Sequence, residues 1–114
     1  NLSGRADDML VIRGVNVFPT QIEEVLLKIE EIGPHYEILV ERKNRLDVMT
    51  ISVELIDDRL LDSYAKLSEL EARIKAALKS QLGLATQIRL VAPNSLKRFE
   101  GKAKRVTDLR KDGL

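Results

Sequence analysis

"PHYEILVERKNRLDVMTISVEL", residues 34–55, carries the pattern on which the fold turns. Tyr36, Ile38 and Val40 alternate with Glu37 and Glu41, so one face is apolar and the other polar, the period of a half-buried strand. Met49, Ile51, Val53 and Leu55 repeat that period in a second, longer run. Lys43-Asn44-Arg45 between them is polar and reads as a hairpin turn. The stretch therefore predicts two antiparallel strands with one face to be covered.

The cover is written on either side. Upstream, Ile22, Val25, Leu26 and Ile29 fall at helical spacing. Thr20 and Glu23 form a T-x-x-E capping pattern behind Pro19, and Gly33-Pro34 is the expected stop. Downstream, Asp57-Asp58 closes the second strand. Ser68 and Glu71 then form an S-x-x-E pattern before Leu70, Ile74, Ala77, Leu78 and Leu82, with Gly83 as the stop. Met9 to Ile12 reads as a buried strand ending at Arg13-Gly14. In the turn "RGVNVFP", Gly14 and Asn16 are the residues expected at positive φ. Ile88, Leu90 and Val91 form a short strand closed by Pro93. The sum is an α+β fold: a small mixed sheet in split β-α-β-β-α-β order, helices packed on it, and a basic C-terminal loop.

The bulk properties exclude several function classes. Lys plus Arg number 19 against 18 Asp plus Glu, so electrostatic function must come from local clustering. Cysteine is absent and His35 is the single histidine, which argues against thiolate chemistry, a His-based metal site and a Ser-His triad. No metal site is expected in the chain. No run approaches the length of a membrane span and no signal peptide is visible, so no membrane partner and a cytoplasmic location are expected. The chain opens on Asn inside a Gly/Ser/Arg stretch and reads as a piece of something longer.

Local clustering does occur in "SLKRFEGKAKRV", residues 95–106, where Lys97, Arg98, Lys102, Lys104 and Arg105 face only Glu100. Three readings stand. A charge run can be a solvated tail. It can be a nucleic-acid patch, though 4% aromatic residues leave the strands without paired stacking rings. Or Gly101 lets the backbone approach a ligand while Lys102 reaches an anion as a mobile point charge. At the other end, Asp7 and Asp8 are adjacent, so on an extended chain their carboxylates point opposite ways, which suits a cap or hinge better than a metal site.

The two ends together resemble the C-terminal domain of the adenylate-forming enzyme superfamily. The opening is similar to its G-R-x-D-D…G…E-I-E motif at Gly4, Arg5, Asp7, Asp8 and Gly14, with Ile22-Glu23-Glu24 in place of E-I-E. The basic loop is similar to its G-K-x-x-R motif at Gly101, Lys102 and Arg105. Within the superfamily, "DDMLVIRGVNVFPTQIEEVLL", "PHYEILVER" and "EGKAKRVTDLRK" resemble the phenylacetate-coenzyme A ligase family. The resemblance spans residues 3–111 and favours the third reading of the loop over a nucleic-acid partner.

The resemblance implies a hinge segment over residues 1–8 and a lid domain over 9–114, with an N-terminal adenylation domain elsewhere. It implies ATP, Mg2+ and coenzyme A as cofactors of the full enzyme and phenylacetate or a similar aryl acid as substrate. It also implies a homodimer of the full enzyme and no activity for this piece alone. By residue, it implies Lys102 as catalytic; Arg5, Gly101 and Arg105 as nucleotide- or phosphate-binding; and Asp7 and Asp8 as the hinge. Arg13, Gly14, Val15 and Asn16 would line the coenzyme A tunnel. The readings kept beside it are a lid for another aryl or acyl acid and a stand-alone α+β ligand- or RNA-binding module.

Overall fold

The computed structural model describes residues 9–98 and 105–110. The quoted stretch forms the centre of the fold as two long strands, β3 (Ile32–Lys43) and β4 (Leu46–Leu55), paired antiparallel. Asn44 (φ 51°) and Arg45 (φ 69°) make the two-residue turn between them. Positive φ at both positions is the geometry whose twist matches that of the flanking strands.

Two shorter elements precede the pair. Strands β1 (Leu10–Ile12) and β2 (Val15–Val17) form a separate antiparallel hairpin, followed by helix α1 (Pro19–Leu26). After β4 come a short 3₁₀ turn (Asp58–Asp62), helix α2 (Tyr64–Leu82), strand β5 (Gln87–Val91) and strand β6 (Val106–Asp108). The main sheet runs β5-β4-β3-β6, with both edge strands parallel to their neighbours. A parallel neighbour needs a crossover connection, and α2 supplies it between β4 and β5.

Alternation sorts the side chains as the pattern predicts. Tyr36, Ile38 and Val40 on β3 and Met49, Ile51, Val53 and Leu55 on β4 lie in one buried cluster with Ile22 and Leu26 of α1 and Leu70, Ile74, Leu78 and Leu82 of α2. The four buried residues of α2 repeat every fourth position, so a single stripe meets the sheet. Burying each contributes about 1.5–3 kcal/mol. The α+β class and the mixed sheet therefore stand.

Five details of the sequence reading are corrected. The positive φ values near Gly14 belong to Arg13 (52°) and Gly14 (79°), whereas Asn16 is in β2 opposite Val11. Helix α1 begins one residue before Thr20: Phe18 is its N-cap and Pro19 its first residue, and Gln21 Oε1 accepts the Phe18 N–H at 2.9 Å. The same helix ends at Leu26, well before Gly33-Pro34, which lie inside β3. There the register shifts between Ile32 and Tyr36, and a residue without an N–H fits an interrupted ladder. Helix α2 begins at Tyr64, not after Ser68, because Ser63 Oγ accepts the Lys66 N–H at 3.3 Å. Finally, the basic tail returns to the sheet as β6 beside β3. Gly83 does close α2, at φ 84°.

The two serines make a direct test of the cap. Ser63→Ala should destabilise the domain by about 1 kcal/mol in chemical denaturation, while Ser68→Ala, in mid-helix, should be neutral or slightly stabilising. A larger loss at Ser68 would place the helix start where the S-x-x-E pattern put it.

Candidate functional site

Two ends of the domain carry the residues singled out by the sequence. Arg5, Asp7, Asp8, Gly101 and Lys102 lie outside the described residues. Arg13, Gly14, Val15, Asn16 and Arg105 lie within them. The first four are brought together by the β1–β2 hairpin: Arg13 and Gly14 are its turn, Val15 packs partly on the core, and Asn16 is exposed. A Cβ added at Gly14 would meet nothing within 4 Å, so the backbone there is open to an approaching group.

The turn is held from outside the hairpin by Asp47, the second residue of β4, which is 9% exposed. Asp47 Oδ2 accepts the Arg13 N–H at 3.0 Å and Arg110 Nη1 at 3.2 Å. Its Oδ1 accepts Arg42 Nε at 3.1 Å and Nη2 at 3.0 Å. Its backbone carbonyl accepts Arg13 Nε at 2.8 Å. Arg110 also donates to the Val11 carbonyl at 2.6 Å and to Asp108, so it joins the hairpin to the end of β6. The Arg13 N–H, helped by Arg42 and Arg110, holds the Asp47 carboxyl below its ordinary range against the opposing effect of burial.

The other end is the crossing from β5 to β6, which contains the basic loop. Its first root is pinned at Glu54 on β4, 4% exposed. Arg98 grips that carboxylate with both terminal nitrogens, Nη1 to Oε2 at 2.6 Å and Nη2 to Oε1 at 3.2 Å, and the Leu96 N–H adds a third bond at 2.9 Å. Burial pushes the Glu54 carboxyl up, but the Arg98 fork and the Leu96 N–H outweigh it and bring it down to about 2. The second root is Arg105. Its guanidinium lies 4.7 Å from the centre of the Tyr36 ring, and Nη1 is 3.6 Å from Glu23 Oε2 on α1. Val106 then pairs with Ile38.

Tyr36 pairs with Val53, the neighbour of Glu54, so the two anchors sit side by side on the ladder and point to opposite faces. Residues 99–104 span these roots. Arg98 and Arg105 are thus spent on holding the segment's ends. The sequence reading noted Arg98 only as one charge of the basic cluster and missed Asp47, Glu54 and Arg110. Asp47 meets Arg13 and Arg110 across 34 and 63 residues and Glu54 meets Arg98 across 44, so no local pattern marks these contacts.

The face of the sheet away from the helices carries Glu37, Leu39, Glu41, Val48, Thr50 and Ser52. Among the described residues no aromatic ring is displayed there, and Tyr36 is buried on the other face. Among the described residues no helix is long and apolar enough to cross a membrane.

Comparison with known proteins gives one consistent picture. The family described as AMP-binding enzyme C-terminal domain matches residues 14–110. The chain is 43% identical over 109 residues to a phenylacetate-coenzyme A ligase of Escherichia coli, covering 96% of this chain and 25% of that protein. It is 45% identical over 111 residues to the Pseudomonas putida enzyme of the same name, again covering 25% of it. It spans about a quarter of the length of these relatives. A solved domain of phenylacetate-coenzyme A ligase from Bacteroides vulgatus superposes with a TM-score of 0.83 at 38% identity, covering 96% of this chain and 99% of that one. The 2-hydroxyisobutyryl-CoA ligase, in complex with 2-HIB-AMP and CoA in the thioesterification state, gives 0.82 at 32% identity, covering 92% of this chain and 22% of that one.

The buried Glu54 predicts an acid-labile anchor. A carboxyl with an ordinary value of 4.5 and about 2 in the fold stabilises fully above about 4.5 and loses that contribution as pH falls toward 2. The contribution at neutral pH is about 3 kcal/mol. Urea midpoints for the native chain and Glu54→Gln should differ most above about pH 4.5 and draw together as pH falls through 3 toward 2. A gap that stays constant across that range would show that the Glu54 charge is not what holds the root.

Proposed function

The chain belongs to the family of AMP-binding enzyme C-terminal domains, and from that premise we propose that it is the lid of an ATP-dependent phenylacetate-CoA ligase. The observation that carries the reading is that the domain has two separately anchored ends: an open glycine turn held by Asp47 and a basic segment whose roots are pinned by Glu54 and Tyr36. The whole enzyme joins an aryl acid to coenzyme A in two steps, and each end serves one of them.

In the first step the acid's carboxylate attacks the α-phosphate of ATP and pyrophosphate leaves, giving an acyl-adenylate. Two anions must approach each other. Lys102, carried on the basic segment, places a positive charge between them and favours the transition state over the separated reactants. Gly101 gives the backbone room to come close. Arg105, already engaged with Tyr36 and Glu23, steadies the segment and contributes weakly to phosphate binding. Arg5 lies near the nucleotide. Mg2+ accompanies ATP and is assigned no ligand in this domain.

In the second step the thiol of coenzyme A attacks the acyl carbonyl and AMP leaves with the bonding electrons. The Arg13–Asn16 segment lines the path of the thiol arm, and Gly14 leaves it unobstructed. Exchanging one end for the other requires the domain to turn, and Asp7 with Asp8 in the segment 1–8 is the hinge. Residues 9–114 then move as the lid on an N-terminal adenylation domain, in a cytoplasmic enzyme that works as a homodimer. The 2-hydroxyisobutyryl-CoA ligase, which this chain resembles, is described in both a postadenylation and a thioesterification state, and this supports the two-position reading. Phenylacetate is the acid favoured by the 43% and 45% relatives.

In the whole enzyme, Lys102→Ala should slow acyl-adenylate formation by about a hundredfold or more and leave thioester formation from supplied acyl-adenylate nearly unchanged. Replacing Gly14 with valine should reverse that pattern. Equal losses in both half-reactions for both variants would contradict the division of labour.

A further inference from the structure

Arg13 occupies a position where a non-glycine residue is strained. At φ 52° its backbone lies in the left-handed region, and such a conformation persists only where the surroundings over-determine it. The hairpin supplies part of that constraint, because the last pair, Ile12 with Val15, closes directly on a two-residue turn that takes positive φ at both positions, but an arginine there lacks the freedom of glycine. Asp47 adds the rest. Its side chain takes the Arg13 N–H, its main chain takes the Arg13 side chain, and the Arg110 fork bridges the Asp47 carboxylate to the Val11 carbonyl on the incoming strand. Three elements distant in sequence are thereby closed around a two-residue turn.

We propose that Asp47, with Arg110, is a positioning residue for the thioester-forming step, setting the backbone of the Arg13-Gly14 turn where the coenzyme A thiol arm passes. The inference rests on the lid reading and adds to it residues that touch no substrate. It requires a carboxylate. Both oxygens face donors, with the Arg13 N–H and Arg110 on one and Arg42 on the other. An amide at this place turns an N–H2 toward one of those sets, so either the turn or the Arg42 contact is lost. Glutamate keeps the charge but moves it by a methylene, which restores the ion pairs without the register of the Arg13 bond. Arg110 contributes through the same oxygen and through Val11, so its loss loosens the turn less directly. Because Arg110 follows β6, the clamp also ties the turn to the strand that closes the basic segment.

The test uses the whole enzyme with the two half-reactions measured separately. In Asp47→Asn, thioester formation from supplied acyl-adenylate should slow, or the KM for coenzyme A rise, by about tenfold, with adenylate formation changed by less than about twofold. Hydrogen exchange at the Arg13 amide should quicken while the β3–β4 ladder stays protected. Arg110→Lys keeps a positive charge but cannot hold two acceptors as a fork. It should show the same selectivity at smaller amplitude and guards against a folding failure of the first variant. Equal slowing of both half-reactions, or an unchanged thioester step beside quickened exchange at Arg13, overturns the inference. The Gly14→Val enzyme separates this from the lid reading. If it loses the thioester step and Asp47→Asn and Arg110→Lys do not, the positioning role fails and the lid stands. If it too keeps the thioester step, the lid reading fails first.

Discussion

A carboxylate removed from water keeps its charge only where donors meet it on every side, and strand β4 carries two such groups. Asp47 near its start is met by Arg13, Arg42 and Arg110, and Glu54 near its end by Arg98 and the Leu96 N–H. At a strand rise of 3.3 Å per residue the two sites stand roughly 23 Å apart. The two ends of the domain are held by one or the other. The glycine turn depends on the first, and the entry to the basic segment depends on the second. Breaking a buried pair by removing one partner costs about 3–5 kcal/mol, a figure that fits Arg110 with Asp47, whereas Arg42 and Arg98 are 53% and 42% exposed and their pairs return less.

On the proposed lid reading, this arrangement would let one small domain present two different ends to a common reaction centre. The strand between them is central in its sheet and covered by α1 and α2, so it transmits no slack. The proposed division of labour then needs only a rigid turn of the whole body. The chain covers about a quarter of the relatives at 43% and 45% identity and nearly all of the superposed domain, which fits a unit of this size.

Much of the fold could be read from residues 34–55 and their flanks, because alternation and fourth-residue spacing are local signals. The β3–β4 hairpin, the buried stripe of α2 and the Gly83 stop were all legible for that reason. The misread features have specific physical causes. Ser68 and Glu71 match a capping pattern, but the exposed first turn from Tyr64 gives no apolar signal, while Ser63 makes the bond that starts the helix. Strand β6 has three residues, one of them apolar, and forms only because Ile38 to Val40 offer an open edge. Of the candidate site, Gly14 and the basic cluster stood out by composition, and the resemblance gave them roles. Asp47 and Glu54 did not stand out, since each reads as an ordinary polar residue until elements far along the chain close over it.

The central claim is that the same rigid domain offers its two ends in turn. The most direct measurement is the distance between a spin label on the exposed face of α2, at Lys79, and one on the large domain of the whole enzyme. Spectra would be taken with ATP and the acid, and again with acyl-adenylate and coenzyme A. Two distinct distance distributions, exchanged between the two conditions, are predicted. A single distribution unchanged by either ligand set would contradict the claim.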